Sequence, residues 1–318
     1  MAFDIQVFNK QTHTVMTEEI AQDVNKFNGA SNGTIILNTN SFGGDFDIQS
    51  SFKAISGLVR RRNAYGSGAI QSKKLEQMLG VAVKVAAGTP PLDWERQQYT
   101  WTQQNPELAA ITIGKQLAKA RIADQLNTGV AAGASAIGGQ AAATHGDGTT
   151  DISFRLLNKG SAKFGDRSSA IRSWIMHSTS IHNLYDNALA NTEQLFTYEG
   201  VNVVRDAFGR VFVVTDAPAL VGAAGGEAIY NTLGLVEGAI EVADNGDFYQ
   251  TITEKTGGEN ISHQYQAEWS YNVRLKGYSW DIANGGKSPN DAALATATNW
   301  DLIASDIKDT AGVLVKSK

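Results

Sequence analysis

The sequence contains no cysteine, only 5 prolines in 318 residues, and no long apolar run. The absence of cysteine excludes disulfide bonds, thiolate catalysis and the common cysteine-based zinc sites. A membrane-spanning helix needs about 20 mostly apolar residues, and a signal peptide needs a shorter apolar core near its start. Neither pattern is present, so we expect no membrane partner. The 32 glycines favour strand turns and extended loops over a proline-rich linker.

Motifs that carry catalysis or cofactor binding are also missing. The sequence has no GxxxxGK(S/T), GxSxG or HExxH motif. Its 5 histidines are scattered, and His177 and His182 lack the spacing of zinc ligands on one helix face. The turn Asp244–Asp247 offers oxygen ligands, but Lys255 stands where a calcium loop needs its glutamate. These observations favour a protein that is not an enzyme and holds no cofactor or metal. A hydrolase with an unrecognised site is the remote alternative.

Charge is divided between two segments of opposite sign, although the whole chain carries only −5. Residues 48–92 contain seven bases and one acid, and residues 237–268 contain seven acids and one base. Such segments attract each other between copies of a chain, whereas a solvated charged face is the ordinary alternative. Arginine also forms bidentate contacts with carboxylates. We therefore predict intersubunit contacts that involve Arg60, Arg61, Arg62, Lys73, Lys74, Glu254 and Glu259.

Nucleic-acid recognition is a weaker interpretation of the same arginines. The run Arg60–Arg62 would contact phosphates, and Tyr65 would stack on a base. Nucleic-acid-binding modules usually carry a net positive charge, which this chain lacks. We therefore favour pairing between copies of the chain.

The longest predicted helix runs from Pro106 to Val130. Proline suits the first helical position, and the Ala, Leu, Lys, Gln and Arg that follow are good helix formers. Ile111 and Ile122 belong to different apolar sets, so more than one face is expected to be buried. Gly114 interrupts the interior, and we favour a tolerated surface glycine over the close approach of another element. The Gly- and Ala-rich residues 129–150 are expected to form a loop.

The remaining pattern mixes short helices and strands, and it predicts an α+β fold. Period-2 alternation of apolar residues indicates strands, and Ser or Thr before an apolar helical pattern indicates a helix start. The predicted helices are one capped by Thr17, a short one over Ile152–Leu157, one capped within Ser178–Ser180 and a short one after Pro289. The predicted single strands are Thr34–Leu37, Ile171–Met176 and Glu268–Asp281. The predicted strand pairs are a long hairpin over residues 48–100 with a turn at Tyr65–Gly68, a hairpin of Val201–Val204 and Val211–Val214 around a turn at Ala207–Gly209, and a pair within Ile229–Val242.

Three segments of the second half carry a resemblance to a known family. They read SWIMHSTSIHNL (173–184), GVNVVRDAFGRVFVVTDAP (200–218) and VRLKGYSWDIANGGKSPNDAALATATNW (273–300). The third is similar to a C-terminal signature of one phage coat-protein group, and the first two are hairpin patterns that other folds share. Together with the order of arm, hairpin, long helix and split α/β region, they make the chain resemble the major capsid protein of tailed bacteriophages, which has the Johnson fold.

The resemblance implies a division of the chain. Residues 1–47 would be the N-terminal arm, 48–103 the extended β-hairpin or E-loop, 104–177 the peripheral domain, 178–262 the axial α/β domain, and 263–318 the return to the peripheral domain with the C-terminal segment. The helix from Pro106 to Val130 would be the spine helix. Ile111 and Ile122 would then be buried, and the basic positions of this helix would face a neighbour or the shell interior: Lys115, Lys119 and Arg121.

The implied function is structural. Copies would self-assemble through hexamers and pentamers into an icosahedral shell that encloses double-stranded DNA, with assembly in the host cytoplasm and the virion as the final location. Other implied partners are packaged DNA, contacted without sequence recognition, and cement, portal and scaffolding proteins. A bacterial compartment shell of the encapsulin type, which shares this fold, is the alternative.

Overall fold

The computed structural model describes residues 5–39, 44–53, 59–95, 106–185, 193–198, 201–205, 211–224 and 227–318. The predicted turn at Ala207–Gly209 lies outside these ranges. Among the described helices, none is long and apolar enough to cross a membrane.

The helices begin where capping residues allow. Ser153 accepts a hydrogen bond from the Leu156 N–H at 3.2 Å, and Asn290 accepts one from the Ala293 N–H at 2.9 Å, so each satisfies an amide that the helix itself leaves unpaired. The helices are α1 (Ile5–Ala30), α2 (Pro106–Gly138), α3 (Phe154–Ser161), α4 (Ser178–Tyr185), α5 (Ile282–Gly285) and α6 (Asp291–Leu294).

The strands are β1 (Ile35–Thr39), β2 (Phe46–Phe52), β3 (Gln77–Gly88), β4 (Leu92–Glu95), β5 (Thr144–His145), β6 (Ile171–Met176), β7 (Glu193–Tyr198), β8 (Val201–Arg205), β9 (Val211–Thr215), β10 (Val221–Ala224), β11 (Glu227–Val236), β12 (Ile240–Asp244), β13 (Tyr249–Lys255), β14 (Ser262–Leu275), β15 (Tyr278–Trp280), β16 (Trp300–Leu302) and β17 (Gly312–Ser317). They confirm the predicted strand at Ile171–Met176 and the predicted hairpin of β8 and β9, which pair antiparallel.

Two mixed sheets contain most of these strands. Sheet A has the order β1-β12-β14-β3-β2, and β4 and β13 also pair with β14. Sheet B has the order β5-β17-β11-β6-β9-β8-β7, and β10 also pairs with β11. β15 and β16 form a separate small ladder. Long strand β14 thus holds sheet A together, because it pairs with β12, β3, β4 and β13.

The predicted strand pair within Ile229–Val242 is wrong in its pairing. Both strands form, but β11 lies in sheet B and β12 lies in sheet A. The chain changes sheets through a turn at Gly238, whose φ of 65° favours glycine. The Gly238 N–H donates to the Gly33 carbonyl at 2.8 Å, so this turn docks onto the end of the α1–β1 connection instead of closing a hairpin.

Helix α2 packs against both sheets, and it is longer than predicted. It continues through Gly138, so residues 129–138 are helical and not a loop. A Cβ at Gly129 would lie 3.1 Å from side-chain carbons of Ile240 and Val242, and a Cβ at Gly133 would lie 2.9 Å from Ile240. These two glycines lower helix propensity, but they allow the helix to lie close on β12, and tertiary packing supports it.

Helix α1 is also longer than predicted, and it explains the burial of the first turns of α2. The Thr17 hydroxyl donates to the His13 carbonyl at 2.9 Å, as in a helix interior, so Thr17 is not a cap. α1 crosses α2 at Gly114, where a Cβ would lie 2.8 Å from the Thr12 carbonyl. The surface-glycine interpretation of Gly114 is therefore wrong. Ile122 is buried as predicted, but Ile111 is 39% exposed, because the face with Ala110 and Gly114 turns toward α1.

The C-terminal signature folds into a small aromatic unit. The Trp280 and Trp300 rings pack edge to face with centroids 4.9 Å apart. The Trp280 Nε1–H donates to the Gly286 carbonyl at 3.0 Å. A Cβ at Gly285 would lie 2.2 Å from the Trp280 ring, so only glycine fits there. The spacing of Trp and Gly in this segment thus reflects local packing.

Candidate intersubunit surfaces

The predicted hairpin is present at its base, in β2 and β3, whereas the basic residues 59–76 beyond it form no strand and project from sheet A. β2 and β3 pair antiparallel from Phe46 opposite Val83 to Phe52 opposite Gln77. We call residues 59–76, between these strands, the basic arm. Every residue of the basic arm is exposed, and Tyr65 is 99% exposed. The arm carries five of the seven predicted contact residues: Arg60, Arg61, Arg62, Lys73 and Lys74.

The other two predicted contact residues, Glu254 and Glu259, lie on a second projection. β13 and β14 form an antiparallel hairpin, and residues 253–261 at its end are all exposed. We call residues 249–262 the acidic hairpin. Glu254 lies 3.9 Å from Nδ1 of His263, and Lys255 lies 3.4 Å from Asp93 of β4. Contacts within one chain therefore use part of the charge of this hairpin.

The two charged segments meet within one chain near the end of β3 that lies away from the basic arm. Lys84 of β3 lies 3.5 Å from Asp247, so one predicted base pairs with one acid of the opposed segment inside the subunit. Lys53 lies 3.4 Å from Glu76 where the arm leaves the hairpin. Contact between the outer part of the arm and the acidic hairpin of another copy stays a prediction.

The three bases of α2 have different surroundings. Lys115 is exposed and Lys119 is half-buried. Arg121 is buried, with 4% of its side chain exposed, and it forms an ion pair with Asp244 at the end of β12. The prediction that Arg121 faces a neighbour or the shell interior is therefore wrong. The carboxylate that holds it comes from a strand 123 residues later in the chain, which no local pattern reveals.

The Arg121 site is built from two strands and a loop. Gln125 donates to Asp244 at 3.2 Å, and Asp244 also accepts the Gly246 N–H at 2.8 Å. The Arg121 guanidinium lies 5.4 Å from the Phe248 ring centroid and 5.6 Å from that of Trp269, distances typical of cation–π contacts. Burial lowers the pKa of Arg121, and the nearby Asp244 and Asp247 oppose that shift. The site fastens α2 to sheet A.

A second buried polar contact lies one turn further along α2. The Tyr271 hydroxyl of β14 donates to Asp124 at 2.9 Å, and the Thr128 hydroxyl donates to the Tyr271 oxygen at 2.9 Å. Burial raises the pKa of Asp124, the hydrogen bond from Tyr271 opposes the rise, and Asp291 adds to it. Burial also raises the pKa of Tyr271.

His177 and the acidic turn at residues 244–247 form contacts that hold the structure together. His177 Nδ1 accepts the Thr179 N–H at 3.2 Å, so the imidazole caps α4. Asp247 accepts the Ser270 N–H at 2.7 Å, and Asp244 is held by Arg121. Within the ranges that the structure describes, no cluster of three or more His, Asp or Glu side chains is suited to a metal ion.

A groove of about 420 Å³ lies beside β2 and the turn between β14 and β15. Its apolar side chains include Phe52, Met78 and Ile303. Arg167 and Arg274, which border it, form ion pairs with Asp309 and Asp47 respectively. Both arginines at the border of the groove are therefore paired with carboxylates of the same chain.

Solved structures of phage capsids are similar to this chain to different degrees. The chain is similar to a capsid protein in the structure of the cyanophage Pam1 capsid asymmetric unit, with a TM-score of 0.51, 9% identity, and coverage of 88% of each chain. For the capsid of Ralstonia phage GP4 the TM-score is 0.48, with 11% identity and coverage of 78% of this chain and 84% of that chain. For the capsid of Myoviridae phage XM1 the values are 0.45, 12%, and 90% of each chain. No curated protein matches the sequence.

The likeness to the Pam1 capsid structure indicates the fold of phage capsid proteins. A family model described as "Gp13-like: Major capsid protein 13-like" matches residues 4–314, so the chain belongs to the Gp13-like family of major capsid proteins. It is a structural component of the virion that associates with copies of itself. The predicted family resemblance, fold and location are thereby confirmed. Neither the family match nor the described residues favour the encapsulin-type or hydrolase alternatives.

Proposed function

We propose that copies of this chain form hexamers and pentamers that close into an icosahedral shell around the double-stranded DNA of a tailed phage. The family match over residues 4–314 supports this proposal. Closed shells repeat a small number of interfaces formed by one chain, and projecting segments enlarge such interfaces beyond compact contact. The subunit has two such projections, the basic arm and the acidic hairpin.

In this proposal the subunit has no enzymatic activity and no cofactor. Residues 48–103 serve as the E-loop, residues 104–177 and 263–318 form the peripheral domain with α2 as its spine, and residues 178–262 form the axial domain. The two sheets correspond to these segments only in part, because β12 and β13 belong to the axial segment but lie in sheet A. Packaged DNA is contacted without sequence recognition, and cement, portal and scaffolding proteins are further partners.

The exposure of the basic arm is the observation that carries the intersubunit part of the proposal. Four apolar side chains of the arm are more than 60% exposed: Val59, Tyr65, Ile70 and Leu75. A long segment that buries so little of its own apolar surface gains stability by packing on another molecule. We assign that role to a neighbouring copy, whose Glu254 and Glu259 face Arg60–Arg62.

A charge-reversal variant tests this assignment. Changing Arg60, Arg61 and Arg62 to Glu places three acids against the acidic hairpin, and like charges at an interface are strongly unfavourable. We expect the variant to fold, with an unchanged circular dichroism spectrum, but to lose assembly in light scattering at 0.15 M salt.

Two controls make the result specific. Changing the same three residues to Lys keeps the charge, so assembly should persist with a weaker contact, because Lys lacks the bidentate geometry of Arg. Wild-type assembly should also weaken at 1 M salt, where the screening length falls to about 3 Å. Normal assembly of the Glu variant would remove these arginines from the interface.

A further inference from the structure

The outer edge of sheet A at β2 is open. β2 ends the strand order of the sheet, and no strand among the described residues pairs with its outer side. Its sequence, FDIQSSF, contains no proline, no lysine and one charge, Asp47. Natural proteins usually protect an edge strand with proline, with lysine or other charged residues, or with a bulge. β2 contains no bulge, because its register against β3 is continuous from residue 46 to residue 52.

The hydrogen bonds at both ends of β2 show which backbone groups point outward. The Lys53 N–H donates to the Glu76 carbonyl at 2.9 Å, and the Lys84 N–H donates to the Asp45 carbonyl at 3.2 Å. Residues that point toward an antiparallel partner alternate along a strand. Odd-numbered residues of β2 therefore pair with β3, and the N–H and C=O groups of the four even-numbered residues point away from the sheet.

An apolar patch lies along the same edge. Ile48 is 56% exposed and Phe52 is 72% exposed. Leu79 of β3, opposite Ser50, is 55% exposed and lies on the same face. The edge thus combines unpaired backbone groups with exposed apolar side chains, a combination typical of a strand that receives another strand.

We propose that β2 pairs antiparallel with β2 of a second copy across a two-fold axis at Gln49. This inference rests on the proposed self-association of the chain and names one surface for it. Centring on Gln49 places residue 48 opposite residue 50 and residue 46 opposite residue 52, so the outward-pointing residues of both copies face each other. A two-fold contact needs this self-complementarity.

The side chains also suit this register. Phe46 of each copy lies opposite Phe52 of the other, and aromatic cross-strand pairs stabilise sheets. Asp47 lies opposite Ser51, so no like charges are directly opposed. The partner is therefore a second copy of this chain, with the same strand as its contact.

Single-cysteine variants test the pairing and its register, because the natural chain has no cysteine. Gln49 occupies a non-hydrogen-bonded position of the new pair, where Cα atoms lie about 4.5 Å apart, within the range that a disulfide spans. Ser51 lies two residues from the axis, so its two copies are about 13 Å apart at roughly 3.3 Å per residue. Under mild oxidation, Gln49→Cys should give at least tenfold more disulfide dimer than the matched control Ser51→Cys.

The dimer is measured on denaturing gels, in particles and in concentrated unassembled subunits alike. Equal or absent cross-linking of the two variants would overturn the proposed pairing. Disulfide dimers of Gln49→Cys without any particles would contradict the proposed shell while supporting the pairing. A second pair of variants gives an independent result: Ser50→Pro removes an outward N–H that the edge tolerates losing and should abolish the two-fold contact, whereas Ser50→Ala should retain it.

Discussion

Removing the acid of the buried Arg121–Asp244 pair should destabilise the subunit far more than removing the base. Asp244→Asn keeps the side-chain shape and an oxygen for the Gly246 N–H, which Asp244 now accepts at 2.8 Å. It removes the carboxylate that forms the ion pair with Arg121, whose side chain is only 4% exposed. Breaking a buried pair in this way costs about 3–5 kcal/mol, a large part of a typical unfolding free energy of about 5–15 kcal/mol.

Arg121→Met should cost much less, no more than about 1–2 kcal/mol. Asp244 would retain its hydrogen bonds from Gln125 and Gly246, so its charge would stay partly satisfied. Methionine would fill the space beside the Phe248 and Trp269 rings, where sulfur–aromatic contacts are favourable. Among the described residues, no acceptor reaches the buried Nε of Arg121, so removing the guanidinium also removes one unsatisfied group.

Urea unfolding of dilute, unassembled subunits, followed by tryptophan fluorescence, measures both variants. The double variant Arg121→Met with Asp244→Asn should be more stable than Asp244→Asn alone, because the unpaired cation is absent. An Asp244→Asn variant within about 1 kcal/mol of wild type, or an Arg121→Met variant less stable than Asp244→Asn, would refute the reasoning, because a buried unpaired charge is the source of the cost.

Two further predictions concern α2 and its contacts. Because burial raises the pKa of Asp124, the folded state binds its proton more tightly than the unfolded state does, and ionised Asp124 lowers stability as pH rises through that window. The unfolding free energy of Asp124→Asn minus that of wild type should therefore increase from pH 4 to pH 7. A difference that stays constant over this pH range would contradict the prediction. Gly114→Ala should destabilise by about 1–3 kcal/mol, because its Cβ would lie 2.8 Å from the Thr12 carbonyl. The matched control Gly29→Ala, with no atom within 4 Å of its Cβ, should be neutral or stabilise by up to about 1 kcal/mol.

Periodicity predicted those elements whose apolar residues face a single core. Val81, Val83 and Val85 alternate in the sequence and are buried along β3, and Ile122 is buried as its helical spacing indicated. Such residues predict a helix or a strand directly, because the spacing of the apolar residues matches the repeat of that secondary structure.

Prediction failed where a contact distant in sequence decided the structure. Glycines lower the helical propensity of the end of α2, and the segment is helical because Gly129 and Gly133 allow contact with Ile240 of β12. Arg121 resembled a surface base because its partner, Asp244, is remote. The glycine at position 114 matched a surface residue for the same reason, since nothing nearby in the sequence indicates that Thr12 crosses it.

The sequence predicted only the charge of the contact surfaces. The division into a basic and an acidic segment follows directly from the sequence, and the structure leaves one stretch of each fully exposed, residues 59–76 and residues 253–261. The open edge of β2 could not be predicted from composition. It follows from the hydrogen bond between Lys53 and Glu76, which shows which backbone groups of β2 point outward. Strand registers depend on pairing geometry as well as on the local pattern.

The most direct test of the account is a cryo-electron microscopy reconstruction of the particles that the expressed protein forms. We predict closed icosahedral shells in which the basic arm of each subunit lies on a neighbouring copy. A protein that stays strictly monomeric across salt and protein concentrations, and yields neither shells nor capsomers, would contradict the account.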